Sequence, residues 1–109
     1  MRVKNAAISL RKVAMGEAVR LSFEVESMAR GPQLLLIDYA VHYVKANGRT
    51  RPKVFKLRTL TMQPGEKAVL SATVSLAPMT TRRHYPGHHR IDVIINGKAH
   101  SLGEFEVTV

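Results

Sequence analysis

The chain has no cysteine. That absence excludes disulfides, thiolate zinc sites and thiol nucleophiles, and it suits the reducing environment of a cytoplasm. Long apolar runs are also missing, so the sequence contains neither a recognisable secretory signal nor a membrane-spanning helix. We therefore expect a soluble intracellular protein, or an excised piece of one.

No segment shows a convincing helical period. Hydrophobic residues make up 45% of the 109 residues, which is ordinary for a globular protein and argues against disorder. A chain of this length can bury a core without disulfides or metals to hold it together. The sequence predicts one domain over residues 1–109.

Apolar and polar residues alternate along several short segments, as they do in half-buried strands. The pattern is clearest over 18–26 and recurs over 68–76, 91–95 and 104–109. The segment 34–44 is apolar on both faces, which predicts a central strand covered on each side.

Turn-forming residues separate these segments. Asn96-Gly97 is the strongest of them, because both residues tolerate the positive φ of a tight hairpin turn. The predicted strands, about seven in number, lie at 3–11, 18–27, 34–45, 52–60, 66–77, 88–95 and 99–109. This spacing predicts an all-β fold, an antiparallel β-sandwich of the immunoglobulin-like kind.

Acidic residues are scarce. Seventeen Lys and Arg stand against eight Asp and Glu, which gives a net charge of +9. The windows 42–58 and 79–90 hold nine of these basic residues and none of the acids. In an up-and-down chain, the connections after the first, third and fifth strands share one end, so that end is predicted to be strongly positive.

A strongly positive end suits phosphate binding, while tyrosines and histidines add groups for stacking and hydrogen bonding. An acidic protein surface and an inert solvated surface stay open as alternatives. Tyr43 is one possible stacking residue. The predicted phosphate contacts are Lys45, Arg49, Arg51, Lys53, Arg82, Arg83 and Arg90, with His84 and Tyr85 as predicted groove or sugar contacts.

Other chemistries have weaker support. His84, His88 and His89 lack a nearby carboxylate or cysteine to complete a metal site. Asp38 and His42 share a strand face but no activated nucleophile accompanies them, and no amphipathic helix or lipidation signal indicates a membrane. We predict no metal, no cofactor and no catalytic residue, and we expect His89 to anchor the edge of the core.

Two long motifs, DYAVHYVKANG at 38–48 and TTRRHYPGHHR at 80–90, resemble the C-terminal immunoglobulin-like domain of bacterial alkylpurine DNA glycosylases of the AlkC type. The resemblance covers nearly the whole chain. In that family, helical repeats excise alkylated bases and the β domain helps to grip DNA. Those repeats are absent from this sequence, so the resemblance implies a DNA-binding appendage without activity of its own.

The resulting hypothesis is a non-catalytic accessory domain of a DNA alkylation repair glycosylase. Its expected partners are the backbone of duplex DNA, bound with little regard to sequence, and a covalently linked helical-repeat glycosylase domain. We expect a cytoplasmic, nucleoid-associated protein in bacteria. The alternative is a protein-protein interaction module that docks a partner domain through a sheet face or edge strand.

Overall fold

The computed structural model describes residues 1–78 and 83–109, which form eight β-strands in two sheets. The strands are β1 Arg2–Ile8, β2 Lys12–Ala14, β3 Ala18–Glu26, β4 Gln33–Val44, β5 Thr50–Met62, β6 Lys67–Ser75, β7 Gly87–Ile95 and β8 Lys98–Thr108. A three-stranded sheet has the order β1-β3-β6, and a five-stranded sheet has the order β2-β8-β7-β4-β5. The predicted all-β sandwich is confirmed.

The predicted first strand, 3–11, extends too far: β1 ends at Ile8, and the chain then forms a separate strand, β2, in the other sheet. Asn5 has a φ of 53°, and the register of β1 against β3 shifts between Lys4 and Ala7. The chain then leaves the first sheet at Ser9, whose hydroxyl accepts a hydrogen bond from the Arg20 amide. It enters the second sheet as β2, which pairs in parallel with β8, while every other strand pair described is antiparallel.

The core lies between the two sheets and follows the predicted alternation. On β3, the side chains of Val19, Leu21, Phe23 and Val25 are all buried. Burial of such side chains contributes about 1.5–3 kcal/mol each relative to exposure, so this face stabilises the sandwich. The buried residues facing them from the wider sheet include Leu35, Ile37, Val41, Ile91, Val93, Ile95, Phe105 and Val107.

The expectation that β4 is covered on both faces is wrong. Leu34 and Leu36 lie on the face that points away from the core and are 57% and 50% exposed. The period-two pattern identifies two apolar faces of a strand, but it cannot show which of them another sheet covers. In the alternating segment 104–109, Phe105 and Val107 are buried, but Val109, which is in phase with them, is exposed.

Strand pairing decides which connections lie at the same end of the sandwich. Gly87 at the start of β7 pairs with Val107 near the end of β8, and His42 near the end of β4 pairs with Arg90. The Gly16 amide donates to the Leu76 carbonyl at 3.0 Å. The connections 15–17, 45–49 and the described parts of 76–86 therefore share one end, as predicted.

The connection before β3 is short, because Lys12, Val13 and Ala14 form β2, in which Lys12 pairs with Glu106. No helix in the described part of the chain has the length and apolar character to cross a membrane.

Candidate nucleic-acid interface

The hairpin between β4 and β5 is closed by its own backbone. The Lys45 amide donates to the Arg49 carbonyl at 2.7 Å, and the Gly48 amide donates to the Lys45 carbonyl at 2.9 Å. Gly48 has a φ of 81°, a conformation that costs glycine little, and the Asn47 side-chain oxygen accepts from the Arg49 amide at 3.0 Å. These contacts fix where the two strands begin and end.

Pairing within this hairpin brings basic and aromatic side chains together. Tyr43 pairs with Arg51, and Val41 pairs with Lys53, so these four residues belong to the core-facing side of the β4–β5 ladder. Because β5 is an edge strand, Arg51 and Lys53 are exposed even though they lie on that side.

An open cleft of about 550 Å³ lies where this hairpin meets the segment before β7. We call it the basic cleft. It is lined by Tyr43, Val44, Lys45, Ala46, Arg51, Pro52, Lys53, Arg83 and Tyr85. Four of these residues are cationic and none is acidic, so the cleft can attract anionic ligands.

Rings and cations stack along the basic cleft. The Arg83 guanidinium lies 5.8 Å from the centre of the Tyr85 ring, and the Lys53 ammonium lies 5.7 Å from the centre of Phe55. Each distance falls within the range of a cation–π contact. Both contacts orient a cation, and among residues 1–78 and 83–109 no carboxylate forms a salt bridge with either cation.

His89 supports the wall of the basic cleft from inside. Its side chain is fully buried; its Nδ1 lies 3.1 Å from the Gly87 carbonyl, and the Val44 amide donates to its Nε2 at 3.5 Å. The Tyr43 ring meets the imidazole edge-on at 5.9 Å. Burial lowers the pKa of His89 below its ordinary value, which favours the neutral ring. The prediction that His89 anchors the core edge is confirmed.

The predicted site residues fall into several places. The structure brings Lys45, Arg51, Lys53, Arg83 and Tyr85 together in the basic cleft. His84 lies beside the cleft, with its ring centroid 5.5 Å from that of Tyr43.

Three predicted contacts are not part of the basic cleft as described. Arg49 lies at the hairpin turn and is exposed. Arg90 lies on the opposite face of the wider sheet, where its Nε is 3.9 Å from the Asp92 carboxylate. Arg82 lies outside the described residues.

The histidines do not converge on a metal site. His88 projects from the outer face and lies 2.7 Å from Glu104, whereas His89 points into the core. Among the described residues, no three His, Asp or Glu side chains are grouped to hold a metal ion. His42 pairs with Asp92 at 2.8 Å, and the register places Lys56 opposite Asp38.

Tyr43 has a larger role than the sequence indicated. Sequence reasoning named it only as a possible stacking residue, yet it forms a wall of the basic cleft between His84 and His89. The sequence does indicate where Tyr43 lies: it follows Val41 by two positions, so both side chains are on the same face of the strand.

Comparison with known proteins gives consistent matches over almost the full chain. Residues 2–109 match the family described as "Uncharacterised protein YhaZ, C-terminal Ig-like domain". The YhaZ protein of Bacillus subtilis is 34% identical over 97 residues, which cover 89% of this chain and 27% of that protein.

Among solved structures, the alkylpurine DNA glycosylase AlkC of Pseudomonas fluorescens, bound to DNA containing an abasic site analog, superimposes with a TM-score of 0.96. It is 36% identical, and the match covers 99% of this chain and 30% of that one. A β-glucosidase from Listeria innocua matches with a TM-score of 0.79 at 16% identity, which shows a shared fold alone. The chain therefore spans less than a third of its two more similar relatives.

Proposed function

Because the chain belongs to the family of YhaZ C-terminal immunoglobulin-like domains, we propose that it is a non-catalytic, DNA-binding accessory domain of a DNA alkylation repair glycosylase. Residues 1–109 act as one domain that grips the backbone of duplex DNA through the basic cleft. The similarity to AlkC, a glycosylase whose structure contains DNA, supports this assignment.

The observation that carries the proposal is the composition of the basic cleft. Its cations are Lys45, Arg51, Lys53 and Arg83, and within the described part of the chain none of them forms a salt bridge. Uncompensated cations on neighbouring positions can each displace a counterion from a DNA phosphate, and this release dominates non-specific binding. The described lining of the cleft consists of cations, rings and small apolar residues that we assign to the backbone rather than to base edges, so we expect little dependence on sequence.

Catalysis is assigned to a separate part of the complete protein. Excision of a base requires a catalytic group and a site for the target nucleotide, and we propose that a covalently linked helical-repeat domain supplies both. The fraction of AlkC that this chain matches, 30%, is consistent with such a division. The protein is then expected in the bacterial cytoplasm, associated with the nucleoid.

Titration of the 109-residue chain with duplex DNA at several salt concentrations tests the proposal. If the four cleft cations each neutralise one phosphate, log K falls against log salt with a slope of about −4, and Kd lies in the micromolar range or weaker. The same preparation is expected to release no base from DNA that carries methylated purines. Salt-independent binding contradicts the cleft as the site, and base release contradicts the accessory role.

The outer face of the wider sheet favours a second candidate function, docking of a partner domain. Leu34, Leu36 and Val54 are each at least half exposed, at 57%, 50% and 54%. Of these, Leu34 and Leu36 lie two positions apart on one face of β4, and adjacent exposed apolar side chains are a feature of interaction sites. Replacing Leu34 and Leu36 with Ser is expected to weaken partner docking without changing DNA affinity, whereas loss of DNA affinity would place the DNA site on this face instead.

A further inference from the structure

The basic cleft contains more than phosphate binding requires. Phosphates need cations and hydrogen-bond donors, but this cleft also includes the half-buried rings of Tyr43 and Tyr85. Aromatic side chains next to cations are the combination that holds unpaired nucleotides, because a base stacks on the ring while its phosphates meet the cations.

We propose that the basic cleft holds an unpaired nucleotide, with its base on Tyr85 and the flanking phosphates on Lys45, Arg51 and Lys53. This inference rests on the proposed function and narrows its ligand from DNA in general to DNA with an unstacked base. A volume of about 550 Å³ lies within the range of sites for small organic ligands, about 300–1,000 Å³.

The two tyrosines have different environments. Tyr43 packs between His84 at 5.5 Å and His89 at 5.9 Å, so it forms a fixed wall. Tyr85 instead meets the flexible Arg83 side chain at 5.8 Å. A guanidinium plane also stacks on bases, so a base that takes the place of the Arg83 guanidinium on the Tyr85 ring can itself be covered by that guanidinium. Tyr85 is therefore the residue on which the preference depends.

Stacking on Tyr85 requires a base whose face is free. In a continuous duplex each base is covered by its neighbours, and exposing one costs a few kcal/mol. In single strands, at gaps and at disrupted base pairs, a base is already unstacked, so the domain can bind it without that cost. The domain is thus expected to prefer interrupted or single-stranded DNA over a continuous duplex that presents the same number of phosphates.

The test compares two oligomers of equal length and charge: oligothymidine and an oligomer of abasic tetrahydrofuran units. Both present phosphates, and only the first presents bases. Stacking of one base is expected to give oligothymidine an affinity about fivefold or more above that of the abasic oligomer. Binding can be followed by tyrosine fluorescence, since the chain has three tyrosines and no tryptophan.

Two variants test whether Tyr85 is responsible for the preference for oligothymidine. Tyr85→Leu is expected to remove the preference, lowering affinity for oligothymidine by more than affinity for the abasic oligomer, and Tyr85→Phe is expected to keep the preference. Thermal melts verify that both variants fold. If a variant does not fold, the comparison of the two oligomers on the unaltered chain still tests the inference.

The outcomes separate this inference from the proposed function. Equal, salt-sensitive binding of the two oligomers overturns the inference and leaves phosphate binding intact. A preference that persists in Tyr85→Leu also overturns the assignment to Tyr85. Failure to bind either oligomer or duplex DNA overturns both proposals.

Discussion

The imidazole of His89 stacks on the ring of Phe105, with centroids 5.2 Å apart and planes 27° from parallel. This contact joins β7 to β8 inside the sandwich, and the edge of the same imidazole supports Tyr43 at 5.9 Å. The wall of the basic cleft therefore rests directly on the core, so changes in the charge of His89 are expected to affect stability.

Acid should destabilise the protein through His89. Burial lowers the pKa of His89 from its ordinary value of 6.5, so below that pH the unfolded chain binds a proton that the folded chain does not. The free energy of unfolding therefore falls as the pH drops from about 6.5 towards the lower pKa of the folded state. Urea unfolding of the protein and of His89→Gln between pH 7.5 and 5 measures this. The variant is expected to be less stable at pH 7.5 and to show a shallower decline; an identical decline in both would contradict the prediction.

The position of charge, rather than its total, is expected to control DNA binding. The double variant Arg51→Glu, Lys53→Glu reverses two cations in the basic cleft, and the control Arg30→Glu, Lys98→Glu reverses two at the far end of the sandwich. Each variant changes the net charge of +9 by twice two, to +5. We expect a loss of about tenfold or more in duplex affinity for the cleft variant and a small loss for the control. Equal losses would indicate attraction by net charge alone.

Arg90 is expected to contribute less than Arg51 to DNA binding. Its side chain lies on the outer face, where its guanidinium is 3.4 Å from His42 Nε2 and its Nε is 3.9 Å from Asp92. An exposed charge near a carboxylate is partly compensated, whereas Arg51 has no carboxylate beside it in the cleft. Fluorescence titrations of Arg90→Gln and Arg51→Gln measure the difference. A larger loss in Arg90→Gln would move the DNA interface to the outer face.

Gly87 is expected to tolerate no side chain. Its φ is 136°, and a Cβ atom there would lie 3.1 Å from a methyl carbon of Val44. Gly87→Ala is expected to lower the free energy of unfolding by about 1–3 kcal/mol, because strain and close contact act together. Gly31→Ala is the matched control, since no described atom beyond the adjacent residues lies within 4 Å of its added Cβ, and we expect a change within about 0.5 kcal/mol. Similar melting curves for both variants would contradict the role of Gly87.

The alternation of side chains was enough to predict most of the core. Val19, Leu21 and Phe23 are inside because a period of two along one strand leaves one face polar and the other apolar. The turn residues also predicted which connections lie at the same end of the sandwich. Lys45 and Arg83, from two of these connections, line one cleft.

Two features could not be predicted from the sequence, because they depend on pairing between strands that are far apart in the chain. The end of the first strand at Ile8 and the separate β2 are set by pairing with β3 and with β8, which the apolar pattern does not specify. Arg90 was grouped with the cleft residues because it is close to Arg83 in sequence. Once it is within β7, however, its phase directs it to the opposite face.

The parallel pairing of β2 with β8 has a mechanical consequence. Lys12, Val13 and Ala14 lie beside Glu106, Val107 and Thr108, and the two strands run in the same direction. Tension between the two ends of the chain would pull these strands past each other, so their slanted hydrogen bonds bear the load together instead of opening one at a time. A pulling experiment is therefore expected to record a single rupture of this short ladder before the sheets separate, which would make β2 the mechanical clamp of the sandwich.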